Sequence, residues 1–247
     1  MRVLGIIPAR YGSTRFPGKP LAMIGDKTMI RRTYERAAMS SLDAVVVATD
    51  DRRIYDEVLG FGGQAVMTRD DHRSGTDRCR EALDKMDDGY DAVVNIQGDE
   101  PFIDPRLIDR VAELIRRDDT CLATLAKLIA DTARLTNPNV VKVVFDHEGN
   151  ALYFSRHALP FVRGVEPAQW LEKTAYYQHI GIYGYKAATL RAIADMAPGR
   201  LEQAESLEQL RWLENGLRIR VAVAECADSI AIDTPEDLMN LPQQLIR

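Results

Sequence analysis

Apolar runs alternate with helical patterns through the first half of the chain. Runs that fit buried β-strands occur at residues 3–7, 44–48, 64–67, 92–96 and 122–126. Stretches with helical spacing of apolar positions lie between them, at 29–39, 52–59 and 76–86. Strands that alternate with helices at this period predict βαβ units, and therefore an α/β fold whose mostly parallel sheet is covered by helices.

The fourth of these strands precedes the clearest helix. Asp104 can cap its N-terminus, and Pro105 suits its first turn. One apolar face then follows at helical spacing, formed by Leu107, Ile108, Val111, Leu114 and Ile115. The sequence therefore predicts an amphipathic helix that begins at about residue 105.

The pattern changes after residue 136. Strand-like runs at 140–145 and 151–154 flank a polar turn and predict an antiparallel hairpin, and a strand-rich stretch follows at 176–185. A helix is predicted over 201–214, ending at Gly216, and another begins at the capping sequence that opens with Thr234. The simplest organisation is a single domain over residues 1–247 with a β-rich insertion at about 137–200.

Composition narrows the class of protein. Hydrophobic residues make up 46% and charged residues 28%, as in ordinary soluble proteins, and the apolar runs are too short to cross a bilayer. No cleavable signal sequence opens the chain, which favours a cytoplasmic protein without a membrane partner. The net charge of −5 argues against a nucleic-acid partner. The three cysteines and four histidines show no zinc-like spacing, so reduced core thiols are expected.

A cationic, glycine-bearing loop follows the first predicted strand. Arg10, Arg15 and Lys19 lie within ten residues, with no acidic residue among them. Gly12 and Gly18 allow the backbone to approach an anion closely, and the two guanidinium groups can bind phosphate oxygens in pairs. Ligands of open α/β sheets bind outside the carboxyl ends of the strands, where this loop is expected. A solvated basic loop is the alternative interpretation.

Two familiar phosphate-binding motifs do not fit this loop. A Walker A loop has four residues between its glycine and its Gly-Lys pair, whereas five residues separate Gly12 from Gly18 here, and Pro20 follows Lys19. The dinucleotide pattern G-x-G-x-x-G is absent as well, which argues against an oxidoreductase.

Two aspartates are candidate metal ligands. Asp99 follows the run at 92–96, so its carboxylate is expected at the carboxyl edge of the sheet beside the cationic loop. Asp233 follows the apolar stretch 229–232 and precedes the capped helix, where it could equally serve only to start that helix. Mg²⁺ is typically held by one or two carboxylates together with substrate phosphates.

Several short motifs then resemble one enzyme family. The segment 8–21, PARYGSTRFPGKPL, closely resembles the N-terminal signature of the 3-deoxy-manno-octulosonate cytidylyltransferases. The resemblance covers essentially the whole chain, because further family motifs occur in family order: ATD at 48–50, HRSGTDR at 72–78, NIQGDEP at 95–101, LYFSR at 152–156, HIGIYGY at 179–185, LEQLR at 207–211 and IDTPED at 232–237.

This resemblance implies a Rossmann-like nucleotidyltransferase fold and a reaction. CMP would pass from CTP to 3-deoxy-D-manno-octulosonate (KDO), giving CMP-KDO and pyrophosphate for lipopolysaccharide biosynthesis, in a homodimer whose β-rich insertion contributes sugar binding and dimer contacts. Mg²⁺ would be held by Asp99 and Asp233. The catalytic residues would be Lys19, Arg10, Arg15 and Asp99. The nucleotide-binding residues would be Ala9, Arg10, Gly12, Ser13, Lys19, Ser74, Gly75, Arg78 and Gln97.

The segment from Ser74 to Arg78 also has a purely structural interpretation, as a helix start capped by Ser74. The two interpretations are compatible, because amides at a helix N-terminus suit an anion or a pyrimidine edge. Gln97 can both donate and accept hydrogen bonds, and the group of the nucleotide that it contacts stays open.

For the acidic sugar, Arg156 is the natural carboxylate partner because its guanidinium is a planar fork. The resemblance adds hydroxyl contacts from His179, Tyr183, Tyr185, Glu208 and Gln209. Without it, packing on a strand face would explain the tyrosines, a satisfied histidine would explain His179, and a solvated helix face would explain Glu208 and Gln209.

Other functions remain open at this point. The nearest is another sugar nucleotidyltransferase, using sialic acid or a sugar phosphate. A metal-dependent glycosyltransferase would consume a sugar nucleotide and release no pyrophosphate. A non-catalytic nucleotide sensor would bind CTP without responding to the sugar.

Overall fold

A nine-stranded sheet forms the centre of the structure, a computed structural model that describes residues 1–12, 16–86, 89–225 and 230–246. The strands are β1 (Val3–Ala9), β2 (Met23–Ile24), β3 (Lys27–Thr28), β4 (Ala44–Thr49), β5 (Ala65–Met67), β6 (Ala92–Asn95), β7 (Leu122–Leu128), β8 (Lys142–Phe145), β9 (Ala151–Ser155), β10 (Tyr177–Lys186) and β11 (Arg220–Val223). Of these, β2 and β3 pair only with each other, as a separate small hairpin.

Helices flank this sheet. They are α1 (Met29–Ala38), α2 (Arg52–Gly60), α3 (Gly75–Lys85), α4 (Pro105–Arg116), α5 (Thr132–Thr136), α6 (Trp170–Lys173), α7 (Ala187–Ala194), α8 (Arg200–Glu205), α9 (Gln209–Glu214), α10 (Pro235–Met239) and α11 (Gln243–Ile246). Short 3-10 helices occur at Lys19–Leu21 and Pro167–Gln169. No helix of the described ranges is both long and apolar enough to span a bilayer.

The main path of the sheet runs in the order β11-β7-β10-β6-β1-β4-β5. The pairs β1–β4, β1–β6, β4–β5 and β11–β7 are parallel, whereas β10 is antiparallel to both of its neighbours, β6 and β7. All strands of this path except β10 therefore point the same way. This confirms the predicted mostly parallel sheet of an α/β fold.

Apolar side chains alternate between the two faces of the sheet. In β1, Leu4 and Ile6 pack with residues of α3, α7 and α9, whereas Val3 and Ile7 pack with residues of α1, α2 and α4. This alternation follows from the two-residue side-chain period of a strand. It produces a helix–sheet–helix sandwich with one apolar core on each side of the sheet.

The start signals of the predicted helices are confirmed. Asp104 caps α4 by accepting from the Arg106 amide, with Pro105 in the first turn. Ser74 and Thr234 form capping boxes at the starts of α3 and α10, each with the aspartate three residues on.

The segment 137–200 contributes to the sheet in two ways. The predicted antiparallel hairpin is present as β8 and β9, and it lies off the main path. β10 instead lies inside the main path, between β6 and β7. The predicted β-rich segment thus supplies one interior strand of the central sheet as well as a peripheral hairpin.

The single helix predicted over 201–214 is wrong, because the structure has two helices there. α8 ends at Glu205, the following residue Ser206 has left-handed backbone angles (φ 52°, ψ 50°), and α9 begins after Glu208. The break lets Leu207 enter the core and lets Glu208 hydrogen bond with Thr76 of α3. The helical spacing of apolar residues continues across the break, so it could not reveal the interruption.

Candidate active site

A cavity of about 280 Å³ opens at the carboxyl edge of β1 and β6. Its wall contains the end of β1, the loop after β6, the start of α3 and the residue that precedes the α10 capping box. The lining residues are Pro8, Ala9, Arg10, Lys19, Pro20, His72, Arg73, Ser74, Gly75, Arg78, Gln97, Gly98, Asp99 and Asp233. This is the edge where ligands of open α/β sheets bind.

Lys19 joins the two predicted metal-binding aspartates. Its Nζ lies 2.9 Å from Asp99 Oδ2 and 3.1 Å from Asp233 Oδ1. The Lys19 side chain is 15% exposed, whereas the carboxylates are more open, at 29% and 43%. Three residues far apart in the sequence therefore converge on one point of the cavity wall, as the sequence predicted.

The loop that carries Lys19 is fixed at its base. Gly18 has φ +72°, and its amide donates to the Tyr11 carbonyl at 2.9 Å, which closes the loop on itself. The backbone angle favours glycine here, and a Cβ at position 18 would also lie 3.0 Å from the Tyr11 ring, so the ring would have to shift. The 3-10 helix that starts at Lys19 then directs the ammonium group into the cavity.

Asp99 and Asp233 are brought together by backbone contacts. The Ile232 amide donates to the Asp99 carbonyl at 3.0 Å, and the Asp233 amide donates to Asp237 within the capping box. Ile232 is itself buried in a small apolar cluster with Ile24 and Met29. The helix start proposed as an alternative role for Asp233 is therefore filled by Thr234 and Asp237, which leaves the Asp233 carboxylate directed to Lys19.

The arrangement fits a divalent cation bound together with a substrate. The described residues contain no group of three or more histidine, cysteine or acidic side chains suited to a metal. Asp99 and Asp233 nevertheless direct one oxygen each towards the same positively charged atom. Mg²⁺ is commonly held by just one or two carboxylates, with substrate phosphates and water completing its shell.

The start of α3 forms another wall. Ser74 and Gly75 line the cavity, and Gly75 packs against the Pro8 ring, since a Cβ there would lie 3.3 Å from Pro8 Cγ. Amides in the first turn of a helix favour anions. Arg78 is almost fully buried; it binds Asp50 at 2.8 Å and also donates to Thr68, so that its guanidinium ties α3 to the loop after β4.

A second polar cluster lies on the α3 face of the sheet, next to the cavity. Glu208 accepts from Thr76 Oγ1 at 2.8 Å, and the buried rings of Tyr183 and Tyr185 stack at 6.0 Å between centroids. Burial raises the pKa of Glu208, although the hydrogen bond from Thr76 opposes this shift. Burial also raises the pKa of both tyrosines, which therefore stay neutral.

His179 extends this cluster towards β7. Its Nε2 lies 2.9 Å from Thr124 Oγ1, and its ring lies between Phe154 and Tyr183, with centroids 5.1 and 5.3 Å away. Burial lowers the pKa of His179 to about 3, so the ring is neutral near pH 7.

The comparisons with known proteins agree on one family. A family model described as cytidylyltransferase matches residues 4–219. The chain belongs to the cytidylyltransferase family. It is 52% identical over 242 residues to a 3-deoxy-manno-octulosonate cytidylyltransferase of Parabacteroides distasonis, covering 96% of both chains. It is also 52% identical to the enzyme of that name in Bacteroides thetaiotaomicron, over 99% of this chain and 98% of the other.

A solved structure extends this similarity to the fold of the cytidylyltransferase. The structure of CMP:2-keto-3-deoxy-manno-octonic acid synthetase complexed with CTP matches with a TM-score of 0.89 at 42% identity. The match covers 97% of this chain and 96% of that chain.

Most predicted nucleotide-binding residues line the cytidylyltransferase cavity. Ala9, Arg10, Lys19, Ser74, Gly75, Arg78 and Gln97 all contribute to its wall. Gly12 is described but does not line it, and Ser13 and Arg15 lie outside the described residues.

The predicted sugar-binding residues fall into two groups. His179, Tyr183, Tyr185 and Glu208 come together in the second polar cluster, and Gln209, which is buried, follows Glu208 directly. Arg156 lies apart from the cavity wall. Its guanidinium donates to the carbonyls of Glu205, Ser206 and Pro138, so it also secures the break between α8 and α9.

The sequence interpretation missed His72 as a cavity residue. His72 lines the wall, and its Nε2 contacts Glu81 of α3. Burial tends to raise the pKa of Glu81, but hydrogen bonds from Lys85, the Arg69 amide and His72 outweigh it and lower the pKa to about 2. Glu81 is therefore an ionised anchor that fixes the imidazole at the cavity wall.

Asn95 was missed as well. It is 2% exposed at the end of β6, opposite Tyr183 in the register, and its Oδ1 has no hydrogen-bond partner within the described part of the chain. An unpaired buried acceptor is costly, which is typical of positions that face a polar ligand. A lone asparagine inside the apolar run 92–96 is the sequence signal that would have identified it.

Proposed function

We propose that this cytidylyltransferase transfers CMP from CTP to 3-deoxy-D-manno-octulosonate, giving CMP-KDO and pyrophosphate for lipopolysaccharide biosynthesis. The observation that carries the proposal is the convergence of Lys19, Asp99 and Asp233 at one cavity. The names of the similar enzymes and the CTP complex of the similar structure support the choice of nucleotide and sugar.

CTP would occupy the cavity between the cationic loop that follows β1 and the start of α3. Arg10 and Lys19 belong to this loop and line the cavity, where they would meet phosphate oxygens. Arg15 and Ser13 of the same loop are predicted to join them. Ser74 and Gly75 at the start of α3 and the amide group of Gln97 also line the cavity, and they would bind the nucleoside part.

Asp99 and Asp233 would hold Mg²⁺ together with oxygens of the substrates. When bound, the ion would neutralise phosphate charge and lower the pKa of the attacking sugar hydroxyl. Lys19 neutralises part of the charge of the two carboxylates. When a divalent cation neutralises them instead, the Lys19 ammonium group could bind the phosphates. We therefore infer that Lys19 stabilises negative charge on the departing pyrophosphate.

The reaction itself is a displacement at phosphorus. The C2 hydroxyl oxygen of the sugar forms a bond to the α-phosphorus of CTP while the bond to the bridging oxygen breaks. Pyrophosphate takes that electron pair, and the hydroxyl proton passes to solvent. The protein needs to position the reactants and neutralise charge, and no covalent intermediate with the protein is required.

The sugar would lie against the second polar cluster. Its neutral and anionic side chains suit sugar hydroxyls. They come from Tyr183, Tyr185, Glu208, Gln209 and His179. Arg156 is the proposed partner of the sugar carboxylate, because its planar guanidinium suits a carboxylate and donates here to carbonyl oxygens. Asn95 lies between the nucleotide and sugar regions and would accept from a sugar hydroxyl.

We also expect a cytoplasmic homodimer. The segment 137–200, predicted to carry dimer contacts, exposes Leu152 of β9 by 62% and Phe161 by 71%. We expect these two side chains to take part in the dimer contact, since interfaces bury contiguous apolar surface. The molar mass in solution, measured by light scattering, tests the expectation.

An assay of pyrophosphate release tests the proposed reaction. With CTP, KDO and Mg²⁺, we expect steady turnover that requires all three. UTP or GTP in place of CTP, and N-acetylneuraminate or a sugar phosphate in place of KDO, should give little product. Faster turnover with sialic acid or a sugar phosphate would instead favour the related nucleotidyltransferases. CTP binding without turnover would favour a nucleotide sensor.

The metal assignment has its own test. Asp99→Asn keeps the shape of the side chain but removes its charge, so we expect turnover to fall by about a hundredfold or more at saturating Mg²⁺. Asp26→Asn, at an exposed carboxylate in the turn between β2 and β3, is the control and should behave like wild type. Full activity of Asp99→Asn would contradict the metal site.

A further inference from the structure

Two carbonyl oxygens and one imidazole nitrogen surround the hydroxyl of Thr124, a fully buried residue of β7. Thr124 Oγ1 lies 2.7 Å from the Ile182 carbonyl oxygen, 3.2 Å from the Ile180 carbonyl oxygen and 2.9 Å from His179 Nε2. A hydroxyl has one proton to donate and two lone pairs with which to accept. The carbonyl oxygens can only accept, so the single proton decides the role of the imidazole.

The shortest contact fixes that proton. Two oxygens at 2.7 Å repel each other unless a hydrogen lies between them, so the Thr124 hydroxyl donates to Ile182. Its lone pair then faces His179 Nε2, and this contact is a hydrogen bond only if Nε2 carries the hydrogen. If the hydroxyl instead donated to Nε2, no hydrogen would lie between Thr124 Oγ1 and the Ile182 carbonyl oxygen.

The irregularity of β10 creates this arrangement. The pairing of β10 with β7 shifts between Ile180 and Tyr183, around Gly181. In a regular strand, the carbonyls of residues 180 and 182 would both take part in the ladder. The shift instead directs both carbonyls at one threonine side chain, which is typical of bulges that reorient a nearby side chain.

We propose that Thr124 is a positioning residue that holds neutral His179 as the Nε2–H tautomer, so that Nδ1 presents a lone pair to a hydroxyl of the sugar substrate. The second part of this proposal rests on the proposed function, whereas the tautomer itself does not. Because burial keeps His179 neutral, one ring nitrogen carries the hydrogen and the other is a bare acceptor. A sugar hydroxyl would donate to that acceptor.

Nitrogen NMR of the free, ¹⁵N-labelled protein at pH 7 tests the tautomer directly. Protonated and bare imidazole nitrogens resonate in separate regions, and the signals of His179 are identified by their loss in His179→Gln. We expect a protonated Nε2 whose hydrogen exchanges slowly, and a bare Nδ1. A protonated Nδ1 in the wild-type protein would overturn the proposal without any variant of Thr124.

Two variants of Thr124 test its role. Thr124→Val has nearly the same shape but no hydroxyl, so we expect the slowly exchanging Nε2 hydrogen to disappear and the KM for KDO to rise about tenfold, as for one lost hydrogen bond. The KM for CTP should stay unchanged. Thr124→Ser retains the hydroxyl and should restore both the NMR signature and the KM for the sugar.

The outcomes distinguish the tautomer of His179 from its role in sugar binding. An unchanged KM for KDO in Thr124→Val, with the NMR signature lost, would overturn the role of Nδ1 in sugar binding. Absence of turnover with KDO in the wild-type protein would contradict the proposed function and leave the NMR result standing.

Discussion

The ammonium nitrogen of Lys19 lies 2.9 Å from Oδ2 of Asp99, although 80 positions separate the two residues in the sequence. The same nitrogen contacts Asp233, which is 214 positions away. Lys19 thus separates two carboxylates that would otherwise repel each other across a partly buried space. The same three side chains line the proposed nucleotide cavity, so these ion pairs involve the groups proposed for catalysis.

Removal of the Lys19 charge should abolish most turnover. Lys19→Met keeps much of the length of the side chain but cannot stabilise charge on the departing pyrophosphate. We expect kcat/KM to fall by about 10²–10³-fold, the range found when one preorganised charge-stabilising donor is lost. Pyrophosphate release measures the effect. Lys27→Met, at an ammonium paired with Glu35 away from the cavity, should retain wild-type activity. Equal activities of the two variants would contradict the role of Lys19.

Gly98 allows the loop that carries Asp99 to approach β1. A Cβ at Gly98 would lie 3.0 Å from the Pro8 carbonyl oxygen, which belongs to a strand in the centre of the sheet and cannot easily move. Gly98→Ala should therefore displace Asp99, with a loss of about 1–3 kcal/mol in the free energy of unfolding. Turnover should fall about tenfold or more, because ångström-scale misplacement of a positioning group is costly.

Gly60→Ala is the matched control for this substitution. Nothing lies within 4 Å of a Cβ at Gly60, at the end of α2. Thermal unfolding and pyrophosphate release should both match the wild type for Gly60→Ala. A similar loss in the two variants would show that the close contact with Pro8 is not the cause.

The convergence of Lys19 and Asp99 could be predicted because it depends on local rules. A polar residue after a buried parallel strand emerges at the carboxyl edge of the sheet, and both residues follow such strands. The place of β10 could not be predicted in the same way. Its apolar pattern marks it as a strand, but only long-range pairing decides that it enters the sheet antiparallel between β6 and β7.

The inward direction of the Glu208 side chain could not be predicted from the sequence pattern either. Helical spacing predicted one continuous helix with Glu208 on a polar face, and a resemblance to a family was needed to suggest sugar binding. The structure turns the side chain inward because Ser206 interrupts the helix. A single left-handed residue leaves no signature in hydrophobic periodicity, and serine is not among the residues that usually mark such a break.

The break at Ser206 should be sensitive to the residue that occupies it. Ser206→Val places a β-branched side chain at φ 52°, so we expect the free energy of unfolding to fall by about 1–2 kcal/mol. The KM for the sugar should rise, because Glu208 lies only two residues after Ser206. Ser206→Gly tolerates the backbone angle and should change stability by less than about 1 kcal/mol. A more stable valine variant would contradict the strain assigned to this residue.

Burial of Glu208 should make stability depend on pH in a defined direction. Its pKa in the folded protein lies above the ordinary value of 4.5, so the folded state binds the proton more tightly than the unfolded state does. The stabilising contribution of the protonated form is therefore complete below about pH 4.5 and is lost as the pH rises through the raised pKa. Glu208→Gln does not titrate and keeps the acceptor for Thr76, so its melting temperature relative to wild type should increase between pH 4.5 and pH 7.5. Glu113→Gln, at a carboxylate of α4 that is 61% exposed, is the control for the substitution itself. A difference for Glu208→Gln that stays constant or shrinks as the pH rises would mean that the carboxylate is not destabilised by burial.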